Sequence, residues 1–220
     1  MDGSKYRILP TNASNVVCFG SMPRESESIF TLSEPSPQAI DRFLLRAKDQ
    51  SFSYPEIGST RGRIPAGYTV DQNRITLGSG SETFRRAAAA IRAWEMFKVG
   101  WARLHPHNAP IEAGTTVEVV VHHFGLWSRN ACRIVYLIEE ERRFGFAYGT
   151  LEQHAECGEE RFSLEWSAKD DSVVYEVLAF STPGRWQTRI ANPLARMLQK
   201  RFARDSMAAM KRAVSTGAMQ

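Results

Sequence analysis

The sequence predicts an α+β domain, with a curved antiparallel sheet of about seven strands wrapped around a long C-terminal helix. Three observations lead there. From residue 99 to residue 180 the chain runs mostly in short segments of alternating, or β-branched and aromatic, residues. Polar and turn-forming residues separate those segments, and short connections favour antiparallel neighbours. The chain then closes on a long amphipathic stretch that opens near Pro193. A sheet of this kind cannot leave its apolar face in water, and the helix is its natural cover.

Composition bounds the rest. The chain has 220 residues, of which 43% are hydrophobic, enough for one substantial core. No run of apolar residues is long enough for a membrane span. The N-terminus lacks the basic-then-apolar pattern of a signal peptide. Three widely spaced cysteines, Cys18, Cys132 and Cys157, read as reduced thiols in a cytoplasmic protein. The net charge of +4 is concentrated in part between Arg196 and Arg212. A basic stripe can meet nucleic acid or an anionic membrane. No nucleic-acid motif accompanies it, so it reads as a solvated helix face and no nucleic-acid partner is expected.

Residues 1–34 are weakly patterned and read as an irregular N-terminal arm. A single domain is expected over 35–214, followed by a mobile tail over 215–220. Ser36 and Pro37 mark a helix start, and Ile40, Phe43, Leu44 and Ala47 recur at helical spacing, predicting a helix over 37–49. Residues 69–77 read as a moderately polar strand. Ser79 and Glu82 have capping-box spacing, and Phe84, Ala87, Ala88, Ile91 and Trp94 form one stripe, predicting a helix that ends near Phe97. Strands are expected at 99–105, 115–124, 132–140, 143–151, 160–168 and 172–180. In the fifth of these, Phe162, Leu164 and Trp166 share one face and Arg161, Ser163 and Glu165 the other. The closing helix carries a stripe of Ile190, Leu194, Met197, Leu198 and Phe202 that weakens after Met210. There is no internal repeat.

Glycine-rich nucleotide loops, HExxH and GxSxG are absent, which removes support for nucleotide-dependent and common hydrolase chemistry. All five histidines, His105, His107, His122, His123 and His154, lie in one region near Glu156, Cys157, Glu159 and Glu160. Their spacing matches no metal-ligand pattern, and adjacent strand residues such as His122 and His123 point to opposite faces, so no metal is expected.

Other residues carry more information. His123 shares a face with Val117, Val119 and Val121 and should point inward, as an acid–base group or as a hydrogen-bonded core histidine. Arg201 and Asp205 fall within the apolar stripe of the last helix, four residues apart. They would anchor a polar head group or tie the helix to a loop. A buried Arg133 would want a carboxylate, with Glu160, Glu159 and Glu56 as the candidates. Phe144, Phe146 and Tyr148 present one bulky face opposite Gly145, Ala147 and Gly149, whose nearly bare face permits close approach.

The segment SFSYPEIGSTRGRIPAGY, 51–68, fits neither helix nor strand. Tyr54, Glu56, Thr60 and Arg61 make it chemically too rich for a plain linker. It reads either as a lid or wall of a site, or as a packed loop whose polar groups hold its shape.

The element order resembles the helix-grip architecture of the START-like, Bet v 1-like superfamily. Three strings are more specific: SYPEIGSTRG (53–62), GLWSRNACRIVYLIEEERRFGFAYGTLEQHAECGEERF (125–162) and PLARMLQKRFARDS (193–206). They resemble uncharacterised protein family 0548, a domain of unknown function from bacteria and plants, over about residues 37–210. The resemblance implies a helix-grip fold and, by analogy, a small lipophilic molecule bound between sheet and helix. On that reading the ligand-binding candidates are Tyr54, Glu56, Thr60, Arg61, His123, Arg133, Tyr148, Arg201 and Asp205. If the domain is a cofactor-independent isomerase, cyclase or lyase, Glu56 and His123 are the acid and base. Arg61 then stabilises negative charge and Tyr54 donates a hydrogen bond. No cofactor is expected. The competing reading is a non-enzymatic interaction module with a filled core and a basic C-terminal helix.

Overall fold

The computed structural model describes residues 28–183 and 192–216. Residues 1–27 of the expected arm, the end of the expected tail and Ile190 lie outside these. Within the rest of the arm, Phe30–Thr31 forms a short strand, β1.

Helix α1, Pro37–Ala47, starts as expected, with the Ser36 hydroxyl accepting the Ala39 N–H at 3.2 Å and Pro37 in the first turn. Strand β2, Thr69–Ser79, leads directly into helix α2, Gly80–Arg92. The expected capping box does not form. Ser79 makes no capping bond, and Glu82 pairs with Arg85 and Arg86. Helix α2 also stops earlier than expected. Trp94 takes a left-handed backbone (φ 54°), and Glu95–Phe97 follows as a 3-10 turn. The Trp94 indole N–H donates to the Ala109 carbonyl at 2.8 Å and the ring packs edge-on against Phe146. Tertiary contacts therefore override the helical pattern at this point.

Strands β3 (Ala102–His105), β4 (Thr116–His123), β5 (Leu126–Glu140), β6 (Arg143–Thr150), β7 (Glu156–Trp166) and β8 (Ser172–Pro183) follow. The β5 and β7 strands begin earlier than the sequence indicates. All pairings are antiparallel, in the order β2-β8-β7-β6-β5-β4-β3, with β1 added alongside β5. The last helix, α3, spans Asn192–Thr216 and packs along α2, the 3-10 turn and the inner sheet face. The fold class is the expected one, a sheet gripping its C-terminal helix.

Side-chain alternation divides the sheet into two faces. The inner face carries Val117, Ile134, Phe146, Phe162, Leu164 and Tyr175, packed with Ile91, Trp94 and Phe97. The stripe on α3 keeps the expected Leu198 and Phe202, which face inward, and continues further along the helix. Ala203, Ser206, Met210 and Val214 are buried, whereas Met197 is exposed. The outer face is also covered. There α1 places Phe43 and Ala47 on Ala131 and Leu151, and the 51–68 segment packs Tyr54 with Cys157 and Phe180. Cys157 is disulfide-bonded, so three reduced thiols is not the outcome; Cys132 is buried and free. None of the described helices is long and apolar enough to cross a membrane.

Candidate functional site: a cavity between the sheet and the last helix

The inner face does not fill completely. A largely apolar cavity of about 260 Å³ lies between the sheet and the first half of the α3 residues that pack on it. Its apolar wall includes Phe97, Val119, Val121, Val177, Leu198 and Phe202. Polar groups from three strands interrupt that wall: His123 on β4, Tyr148 on β6, and Glu156 and Glu160 on β7. Gln199 and Lys200 from α3, and Asn73, Asn130 and Ser181 from other strands, add further polar groups. Apolar walls with a few placed polar groups are the usual composition of a small-molecule site.

Glu160 and Tyr148 are cross-strand partners in the β6–β7 ladder, and the Tyr148 hydroxyl donates to Glu160 at 2.7 Å. Burial raises the Glu160 carboxyl to about 7, partly offset by the Tyr148 hydrogen bond and reinforced by Glu156 and Asp71. Tyr148 is itself pushed well above the usual phenol range by burial and by Glu160. Tyr175 from β8 and Cys132 from β5 also feel the Glu160 charge. Glu156 is raised by burial and accepts a hydrogen bond from the Gln199 amide at 2.6 Å. Neither Glu156 nor Glu160 has an ion-pair partner among the described residues. The guanidinium of Arg196 lies near but is held bidentately by Asp71.

His123 points inward, and His122 points outward to stack on Trp127. Burial lowers the His123 imidazole below the ordinary histidine value. Its Nδ1 is buried with no hydrogen-bond partner among the described residues. His154 also reaches the cavity. Its Nδ1 accepts the Glu156 N–H at 3.0 Å, and burial lowers it to about 4. Among the described residues no group of three or more His, Cys, Asp or Glu is arranged to hold a metal.

A family model described as a domain of unknown function, DUF1990, matches residues 53–209. The chain belongs to the DUF1990 family. Two relatives are UPF0548 proteins. The one from Dictyostelium discoideum is 32% identical over 209 residues, covering 86% of this chain and 97% of the relative. The one from Deinococcus radiodurans is 37% identical over 189 residues, covering 80% and 94%. Among solved structures, TTHA0849 from Thermus thermophilus superimposes with a TM-score of 0.48 at 11% identity, covering 69% of this chain and all of that one. The hypothetical protein jhp0584 from Helicobacter pylori gives 0.44 at 10% identity, covering 74% and 94%. These two likenesses carry nothing about chemistry.

The residues singled out in the sequence of this DUF1990 chain divide between the two faces of the sheet. His123 and Tyr148 line the cavity. Tyr54, Glu56, Thr60 and Arg61 lie on the outer face, folded around Glu159 of β7. The buried Glu159 carboxylate accepts from the Tyr54 hydroxyl at 2.7 Å, the Gly58 N–H at 2.6 Å, the Thr60 N–H at 3.0 Å and the Thr60 hydroxyl. Glu56 accepts from the Tyr68 hydroxyl, and Arg61 lies exposed over the Tyr136 ring at 4.1 Å. Tyr54 lies against Gly149, so the bare face of β6 receives this loop. The segment is thus a packed loop backing the sheet, and it does not bring Glu56 or Arg61 to the cavity wall.

Arg133 meets no carboxylate among the described residues. It donates to the Ala47 and Lys48 carbonyls, each at 2.9 Å, closing the C-terminal end of α1. Arg201 and Asp205 pair at 3.5 Å outside the cavity. Asp205 accepts the Trp101 indole N–H at 2.9 Å, and Arg201 lies over that ring. This ties α3 to the segment before β3. Glu160 as a cavity group escaped the sequence reading, although a signal existed. Parity along β7 puts it on the same face as Phe162 and Leu164.

Proposed function

We propose that the chain binds a small lipophilic molecule bearing a polar group in the cavity between the inner sheet face and α3. The observation that carries this reading is an apolar cavity whose wall holds Glu160, Tyr148 and His123 in an otherwise packed core. The same cavity weighs against an interaction module with a filled interior. A location in the cytoplasm belongs to the proposal and is read by cell fractionation.

The test is a cavity-filling substitution. Ala179 lies on the cavity wall directly opposite Glu160 in the β7–β8 ladder, so Ala179→Phe should occupy the space beside that carboxyl. Wild-type protein should bind the neutral fluorescent probe N-phenyl-1-naphthylamine saturably, and folded Ala179→Phe should not. Equal binding by both proteins would sink the reading.

A second reading, cofactor-independent acid–base turnover as an isomerase, cyclase or lyase, rests on one observation. Glu160 sits near neutrality, where a carboxyl both gives and takes a proton. In this version Glu160 takes the place first assigned to Glu56, with His123 as the second acid–base group and Tyr148 as the hydrogen-bond donor. If turnover is found, folded Glu160→Gln should lower kcat by about 10²-fold or more.

A further inference from the structure

The donors and acceptors around the cavity do not balance. The donors beside Glu156 and Glu160 are engaged by the protein. The Tyr148 hydroxyl goes to Glu160, and the Gln199 amide goes to Glu156 at 2.6 Å and to Ser181 at 3.0 Å. The Asn130 amide goes to the Val119 carbonyl at 3.1 Å and to Ser128 at 3.2 Å, and Arg196 goes to Asp71. Acceptor capacity is left over. Each of Glu156 and Glu160 has one oxygen engaged by a side chain, and a carboxylate has about four lone-pair sites. His123 Nδ1 is buried without a partner among the described residues. Lys200, at the exposed edge of the cavity, is a cation there without an ion pair among the described residues. The aromatic rings of Phe97, Phe202 and Tyr148 add electron-rich faces.

We infer that the ligand of this cavity carries a cationic amino group that seats against Glu160, with its apolar body against Phe97 and Phe202. An ammonium supplies donors and a countercharge to Glu160 and Glu156, which have no ion-pair partner among the described residues, and offsets the cost of holding a carboxylate away from water. A carboxylate or phosphate ligand would instead face Glu156 and Glu160 with like charge and find the Tyr148 and Gln199 donors beside them already engaged.

This inference rests on the cavity being a ligand site, and its test separates the two. Octylamine, 1-octanol and octanoate share one apolar body and differ in the head group. Calorimetric titration of the full chain should give octylamine an affinity about tenfold or more above either of the others, since charge-assisted hydrogen bonds are the strong ones. Glu160→Gln, which keeps the side-chain shape, should remove the advantage of octylamine over 1-octanol. Octanoate or 1-octanol binding as tightly as octylamine, or an advantage that survives Glu160→Gln, overturns the amine assignment. If those ligands are displaced by Ala179→Phe, the cavity itself still stands as a site. If none of the three binds in a way that Ala179→Phe abolishes, both the amine assignment and the ligand site fall.

Discussion

Tyr148 and Glu160 face each other across adjacent strands inside the cavity, joined by a 2.7 Å hydrogen bond. The pair puts a titrating carboxyl on an otherwise apolar wall, and its cost depends on pH. Glu160 sits at about 7 in the folded protein, against about 4.3 for an unfolded glutamate. Between those values the folded state holds more protons, so this group's contribution to stability falls as pH rises from about 4 to about 7. Glu160→Gln should therefore be more stable than wild type by about 1–3 kcal/mol at about pH 8, and should lose that advantage at about pH 4. Urea midpoints at the two pH values check this. A constant difference across the range would place the Glu160 titration elsewhere.

The Glu159 carboxylate organises the loop that precedes β2. Replacing it with alanine leaves the buried Tyr54 hydroxyl and the Gly58 and Thr60 amides without their acceptor. The expected loss is about 3 kcal/mol, with proteolytic cleavage appearing between residues 54 and 62. Thermal unfolding and limited proteolysis report the two effects. A fully stable, protease-resistant Glu159→Ala would show that the loop is held by its apolar packing alone.

Gly149 is a packing requirement. A Cβ there would lie 2.1 Å from Tyr54 Oη and 2.8 Å from its ring. Gly149→Ala should cost about 2 kcal/mol through overpacking. In a Tyr54→Ala background the same change should cost less than about 1 kcal/mol, because neighbours in contact are not additive. A double-mutant cycle measures the difference, and strict additivity would contradict the contact.

On the outer face beneath α1, Arg129 and Glu118 form a buried ion pair at 2.6 Å. Arg129 also donates to the Ala39 carbonyl at 2.7 Å and lies over the Phe43 ring. Arg129→Met alone should cost about 3–5 kcal/mol, since it removes one partner of a buried ion pair. Arg129→Met with Glu118→Leu should recover much of that loss. Chemical denaturation of the single and double variants decides it; a double variant no better than the single would mean that the Ala39 and Phe43 contacts dominate.

Much of the fold was legible because strand alternation and helix periodicity are local. Phe144, Phe146 and Tyr148 point inward as their spacing indicates, and so does His123. The bare face of Gly145, Ala147 and Gly149 receives a close neighbour, but the neighbour is Tyr54 of the preceding loop. Local pattern misled where a distant partner intervened. Trp94 leaves the helical path to reach Ala109, and Ser79 and Glu82 satisfy the spacing of a capping box without forming one.

By itself the sequence determined which residues share a face, since side chains alternate with a period of two wherever a strand forms. It thereby set the inward course of His123, Tyr148 and, by parity, Glu160. Only the tertiary structure decided that Tyr148 stands opposite Glu160, because register depends on pairing between separate strands. It also decided on which side of the sheet Tyr54, Glu56, Thr60 and Arg61 lie. An irregular loop carries no period to aim it, and docking around Glu159, about a hundred residues away in the chain, places it behind the cavity wall.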